Sequence, residues 1–214
     1  MKKAIFAAAA LAALTTACNT APEADSATTT EKQEAAAATG ASFGIDTTNS
    51  SVQWLGTKPI GQHTGTFKVS NGNFSVAEGN ISAGSFTIDI NSLTNIDLKP
   101  GEGKEKLEGH LKSADFFDVA KYPTAKFEIT AVEPLTNDST ATHKISGNLT
   151  LKDSTKNVTF PAKLTIAENN VQAAASFNID RTQWGLFYGN DQSLGDSFVR
   201  PEVNITLNIT ANKL

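Results

Sequence analysis

The residues of this 214-residue chain able to bind a metal or move a proton are few: three histidines, one cysteine and scattered carboxylates. His63, His110 and His143 stand 47 and 33 positions apart, far from the short spacing that brings two imidazoles to one zinc ion. Asp115 and Asp118 are close in sequence, but paired carboxylates are common on surfaces. The chain shows no Ser-centred elbow, phosphate-binding loop or dinucleotide fingerprint. These absences predict no catalytic residue, no metal and no cofactor, and therefore a protein that is not an enzyme.

Cys18 has a different chemistry open to it. Met1-Lys2-Lys3 is a short basic start, and Ala4 to Leu14 is an apolar run of signal-peptide length. That run is too short for a membrane span of roughly 20 residues. Leu14-Thr15-Thr16-Ala17-Cys18 resembles a lipobox, in which small residues precede a cysteine that is acylated and becomes the new N-terminus. The leucine stands four places before the cysteine, where three is usual. As the only cysteine, Cys18 has no disulfide partner within the chain. The expectation is a signal peptide over 1–17 and a lipid anchor at Cys18, with two or more acyl chains giving stable attachment; the other reading is an unlipidated secretory signal followed by a chance cysteine. The domain would then sit in the periplasm or at the cell surface of a bacterial envelope. Loss of Lys2 and Lys3 takes the formal net charge from -4 to -6. A mildly acidic chain without basic clusters argues against nucleic acid and against polybasic docking to lipid.

The segment 18–41 is expected to hold the lipidated cysteine and a flexible tether. Asn19 to Ala41 is rich in Ala, Thr, Glu, Ser and Pro and lacks a large hydrophobe, so it cannot offset the entropy of folding. A coil of that length reaches roughly 25–30 Å, or about 80 Å when extended. Glu31 to Ala38 has a composition compatible with transient helix.

From 42 to 214 the dominant signal is period-two alternation. Ala125, Phe127, Ile129 and Ala131 share one face. Ile145, Gly147, Leu149 and Leu151 form a second such set, as do Val158 to Ile166, Val171 to Ile179 and Val203 to Ala211. Such segments are strands with one apolar and one polar face. Shorter sets (Phe67/Val69, Phe74/Val76, Phe86/Ile88/Ile90) are separated by turn-type residues, including Ser70-Asn71-Gly72-Asn73. Eight to ten antiparallel strands must each bury one face. Closing the sheet on itself does this without leaving an edge, and a two-sheet sandwich is the competing architecture. Gly103 to Ser113 departs from the pattern: Leu107, Leu111 and Ala114 fall at helical spacing, predicting a short amphipathic helix over a barrel end or a gap in its wall.

The stretch His110-Leu111-Lys112-Ser113-Ala114-Asp115-Phe116-Phe117-Asp118, followed by Tyr122-Pro123-Thr124-Ala125-Lys126-Phe127, resembles the signature of the YceI-like, polyisoprenoid-binding family. His63 to Phe67 resembles its early strand, and Phe177 to Gly185 its late strand-and-arginine motif. The resemblance runs from about Phe43 to Ala211. It implies a single all-β, lipocalin-like antiparallel barrel of about eight strands that holds a long isoprenoid chain in its lumen. Asp191 to Pro201 looks more irregular than the family pattern. The lumen candidates are Trp54, Phe67, Phe86, Ile88, Phe127, Ile129, Leu149, Phe160, Phe177 and Trp184. His110 and Arg181 are candidate headgroup contacts, with a structural tie between helix crossover and wall as the other reading of each. Burying a methylene is worth about 0.8 kcal/mol. A dozen buried carbons therefore give ample affinity with little discrimination among tails.

Two further readings compete. An outer-membrane barrel also has alternating strands, but this chain carries only two Trp and two Tyr, too few for two aromatic girdles. A stress-response or interaction lipoprotein with a solid core would bind no lipid at all.

Overall fold

The structure is a computed structural model and describes residues 24–136 and 138–214. The expected signal peptide and Cys18 lie outside the described residues, as does Asn137 of the Asn137-Asp138-Ser139 turn.

Ten strands form one sheet. They are β1 (Thr28–Glu31), β2 (Ala41–Ile45), β3 (Ser51–Lys58), β4 (Gly61–Ala77), β5 (Asn80–Asn95), β6 (Thr124–Pro134), β7 (His143–Leu151), β8 (Ser154–Ile166), β9 (Asn170–Asp180) and β10 (Glu202–Lys213). One helix, α1 (Lys104–Lys112), lies in the β5–β6 crossover. Consecutive strands from β3 to β10 pair antiparallel, and β10 returns to pair with β3. The result is a closed eight-stranded barrel with no free edge in its ring. β2 lies between β10 and β4, prolonging the position that β3 fills at the other end.

The alternation places the core inside. Phe127, Ile129, Ile145, Val158, Phe160, Val171, Phe177 and Ile209 are all buried. Two expectations change at bulges. Ala131 was expected to face inward with Ile129, but an irregularity between Ile129 and Ala131 puts Val132 opposite Ile145 instead, and Val132 packs on the core. Ser70-Asn71-Gly72-Asn73 is not a turn. It lies within the 17-residue β4, which bends through several register shifts. Gly72 is needed there for close approach: a Cβ would stand 2.5 Å from the Ser85 carbonyl oxygen and 2.7 Å from Phe86 Cβ.

The larger correction concerns the tether. From Ala24 to Gly40 the chain is a strap fixed to the barrel: it first lies between β8 and β9, where their direct pairing ends, then crosses β7, β6 and β5. The Ala27 N–H donates to the Asn178 carbonyl, and the Asn178 N–H donates to the Asp25 carbonyl. β1 then pairs antiparallel with β8, with Thr28 opposite Thr159 and Glu31 opposite Lys156. Beyond it, the Gln33 backbone exchanges two hydrogen bonds with the Asn148 amide (3.0 and 2.7 Å). The Ala36 N–H reaches the Ile129 carbonyl, and Thr39 meets Ser82. Its fixing points are mostly polar (backbone groups, asparagine amides, the Ser82 hydroxyl and a Glu31–Lys156 ion pair) with only the small Ala27 packing on the core, which is why composition alone suggested free coil. The Glu31–Ala38 segment is not helical.

Candidate functional site

The two ends of the barrel differ. At one end lie the β3–β4 hairpin, the end of β5, α1, the β7–β8 turn and the segment after β9. Here the barrel encloses a cavity of about 570 Å3, within the range of pockets that hold small molecules. Of the expected lumen residues, Trp54, Phe67, Phe86, Ile88, Phe127, Leu149 and Phe177 line it. The cavity also takes residues not singled out from the sequence: Val52, Ile179, Val203, Ile205 and Leu207 from strand faces, Leu107 and Leu111 from α1, and Phe116 and Phe117 from the turn after it. The strand residues were legible as inward positions. The two phenylalanines had a signal only in the matched motif.

Three candidates fall elsewhere. Ile129 and Phe160 line a separate hollow of about 30 Å3 deeper in the barrel. Trp184 lines neither space. It is 1% exposed, and its Nε1–H donates to the Leu149 carbonyl (2.9 Å), packing the segment after β9 against the wall.

An aromatic septum divides the two spaces. Phe86, Phe127 and Leu207 border both. The Phe127 ring lies 5.3 Å from Phe86 and 5.9 Å from Phe160, and Phe160 stacks on Phe177 at 3.9 Å with an interplanar angle of 11°. Gly147 makes room for the septum: a Cβ there would stand 2.2 Å from Phe127 Cζ. The lumen is thus open at the mouth and, below the septum, filled but for the small hollow.

Polar residues organise the rim. Arg181 is 4% exposed. Its Nε donates to the Arg200 carbonyl (3.1 Å), Nη1 to that of Leu186, and Nη2 to those of Tyr188 and Val199 (2.9 and 2.8 Å). Four of its roughly five N–H groups therefore hold the 186–200 loop, so Arg181 is a positioning residue of the rim. Burial pulls its pKa down, opposed by Asp180 and Glu202; the guanidinium stays charged. The loop contains a 3-10 turn, Gln192–Ser197, kinked at Gly195, in agreement with the irregularity expected there.

His110 faces the cavity from α1, half-exposed. Its ring meets Tyr188 edge-on at 4.5 Å and Phe116 at 5.2 Å, and its Nε2 lies 3.4 Å from Asp115 Oδ2. It joins the helix crossover to the 186–200 loop across the mouth. α1 itself is moored to the end of β5. The Asn95 N–H donates to Glu108 Oε1 (2.8 Å), and Lys104 Nζ donates to the Asn95 carbonyl. Asn95 Nδ2 donates to the Thr64 carbonyl and to Asp97 Oδ1 (2.6 Å), while His63 Nδ1 sits 2.8 Å from Asp97 Oδ2. Burial raises the Asp97 pKa, but hydrogen bonds from His63, the Thr64 N–H and Asn95 outweigh it and hold this carboxyl below its ordinary value.

Among known proteins, this chain is similar to a UPF0312 protein of Pseudomonas putida (43% identical over 86 residues, 37% of this chain and 43% of that protein). It is also similar to protein YceI of Escherichia coli (38% over 100 residues, 47% of this chain and 48% of that protein). The chain thus spans about half the length of the curated relatives it matches. Two solved structures share the fold. One is BcnA of Burkholderia cenocepacia (TM-score 0.63, 22% identity, 78% of this chain and 99% of that one). The other is a polyisoprenoid binding domain from Saccharophagus degradans (TM-score 0.60, 17% identity, 82% and 100%). The model of the YceI-like domain matches residues 43–211, the whole barrel ring with its crossover helix, and the chain belongs to the YceI-like family.

Proposed function

We propose that this protein is a non-catalytic lipid binder of the cell envelope, anchored through acylated Cys18, that holds one long apolar tail of the polyisoprenoid or isoprenoid-quinone kind inside its barrel. The observation that carries the reading is the apolar cavity of about 570 Å3 above the septum. Its wall is mostly aliphatic and aromatic, with Lys58, Gln62, His63, His110, Arg181 and Asp196 among its charged and polar lining, so it suits a hydrocarbon tail with a polar end. The match to the YceI-like domain and the fold shared with a polyisoprenoid binding domain support the same class of ligand. Ten buried methylenes would contribute about 8 kcal/mol, which corresponds to a Kd of about 1 μM before ordering costs. The tail enters first, because the septum closes the depth and the polar groups gather at the rim. A headgroup would rest near His110.

The test is organic extraction of the protein purified from cell membranes, followed by mass spectrometry. A co-purifying isoprenoid lipid is the expected result. Repeated absence of lipid, together with failure to bind added polyprenol, would refute the reading.

A further inference from the structure

Large apolar side chains left exposed on this protein are not spread evenly. Among the described residues they are Ile60, Ile96, Phe187, Tyr188, Leu194 and Leu214. Leu214, just past the end of β10, lies at the closed end. The other five cluster at the mouth: Ile60 in the β3–β4 hairpin, Ile96 directly after β5, and Phe187, Tyr188 and Leu194 in the loop that Arg181 holds. Ile60 is 70% exposed and Phe187 59%, while Ile60 and Tyr188 also line the cavity. The rim is therefore continuous with the apolar wall inside. Exposed apolar clusters of this kind mark contact surfaces.

The strap supplies the second observation. Its first described residue, Ala24, accepts a hydrogen bond from Asn178 Nδ2 (3.2 Å). Asn178 stands two positions before β9 ends at Asp180, on the mouth side. Ala24 is thus fixed nearer the mouth than the closed end. Cys18 is six residues earlier, and six extended residues span about 20 Å. Asn178 stands about 7 Å from the mouth end of β9 and about 27 Å from its other end.

We propose that the mouth end docks on the surface of a phospholipid bilayer, with Ile60, Ile96, Phe187, Tyr188 and Leu194 entering the headgroup region and the cavity opening toward the membrane. The strap holds the anchor side of the chain at that end, so acyl chains and rim act as two attachments on one face. The chain's net charge is negative, so the contact is apolar, needs no anionic lipid and persists at high salt. The inference uses the proposed anchor and lipid site to give the docking a purpose, but the rim contact is testable apart from both.

The experiment uses the full chain on phosphatidylcholine vesicles carrying brominated acyl chains, and compares F187W with L214W against the parent protein. Both positions are exposed, so both variants fold, and quenching of Trp54 and Trp184 is common to all three proteins. The tryptophan at 187 is expected to be quenched roughly threefold more than that at 214, equally in low and high salt. Equal quenching at the two positions, or none at 187, overturns the proposal. A second arm replaces rim residues that do not line the cavity. For this arm the pair is Ile96→Asp with Leu194→Asp, both exposed and outside the cavity wall: uptake of polyprenol from vesicles should slow, while binding of polyprenol supplied from detergent solution stays unchanged; unchanged vesicle uptake also counts against docking. If extraction yields no lipid but residue 187 is quenched, the carrier reading falls and the docking stands; lipid without quenching gives the reverse.

Discussion

Phe127 sets the depth of the lumen, and Gly147 gives it the space to do so. Replacing Phe127 with Ala opens the cavity into the hollow beneath. The cost is about 3–5 kcal/mol of stability, read from the denaturation midpoint. Longer prenols should then compete better than in the parent protein. Gly147→Val has the opposite effect on binding: the new side chain drives the Phe127 ring into the cavity. Overpacking costs about 1–3 kcal/mol, and tail binding should fall in a prenol competition assay. The sequence named both residues as inward-facing, because alternation fixes a face. It left the septum hidden, because which inward rings meet across the barrel depends on register between strands far apart in sequence. The same limit moved Ile129, Phe160 and Trp184 out of the cavity.

Elements, rather than single residues, hold the mouth and the strap. The β5 end, the start of β4 and α1 meet at Asn95 and Asp97. A carboxyl whose folded pKa is depressed lends stability above its ordinary value of about 3.9 and loses it as pH falls through the folded value. The Asp97 contacts to His63 and Thr64 should therefore persist from neutral pH down to about 4 and loosen only below it. An NMR titration of the Asp97 carboxyl, with its midpoint below that of a free aspartate, checks this. On the opposite wall the strap depends on Asn148, which is 1% exposed and bonds both Gln33 and Asn157. Asn148→Ala leaves those partners unmet, at about 1–3 kcal/mol. It should raise hydrogen exchange over residues 28–36 while β7 and β8 stay protected. A clue to the strap was present in the sequence. Asparagine is disfavoured in strands, yet Asn148, Asn157 and Asn178 occupy outward strand positions. Read as solvent-facing filler, Asn148 and Asn178 are in fact amide sockets for the strap backbone, and Asn157 supports them by bonding Asn148 and Thr130.

At the scale of the molecule, the barrel was legible and the asymmetry of its ends was not. Period-two patterning requires only that one face of every strand be buried. It says nothing about whether the enclosed space is filled, and the filling changes halfway along. The small inward residues Ala162, Ala173 and Ala175 border the smaller, deeper hollow, while Ala125 lines the larger space. The larger space lies where Val52, Val203 and Ile205 face the lumen and α1 contributes Leu107 and Leu111 to its wall. If the barrel holds a tail there, ligand at about 100 times its Kd stabilises the fold by roughly 2.7 kcal/mol. A polyprenol titration should raise Tm in the parent protein and not in Gly147→Val.

The aromatic partition has a kinetic corollary. A blind sleeve has one passage for arrivals and departures alike, so a newcomer cannot push the resident out from behind. Exchange must proceed by vacating first and reloading second. The off-rate of a fluorescent prenol should then be indifferent to the concentration of unlabelled competitor, and throughput would be governed by how readily the occupant backs out.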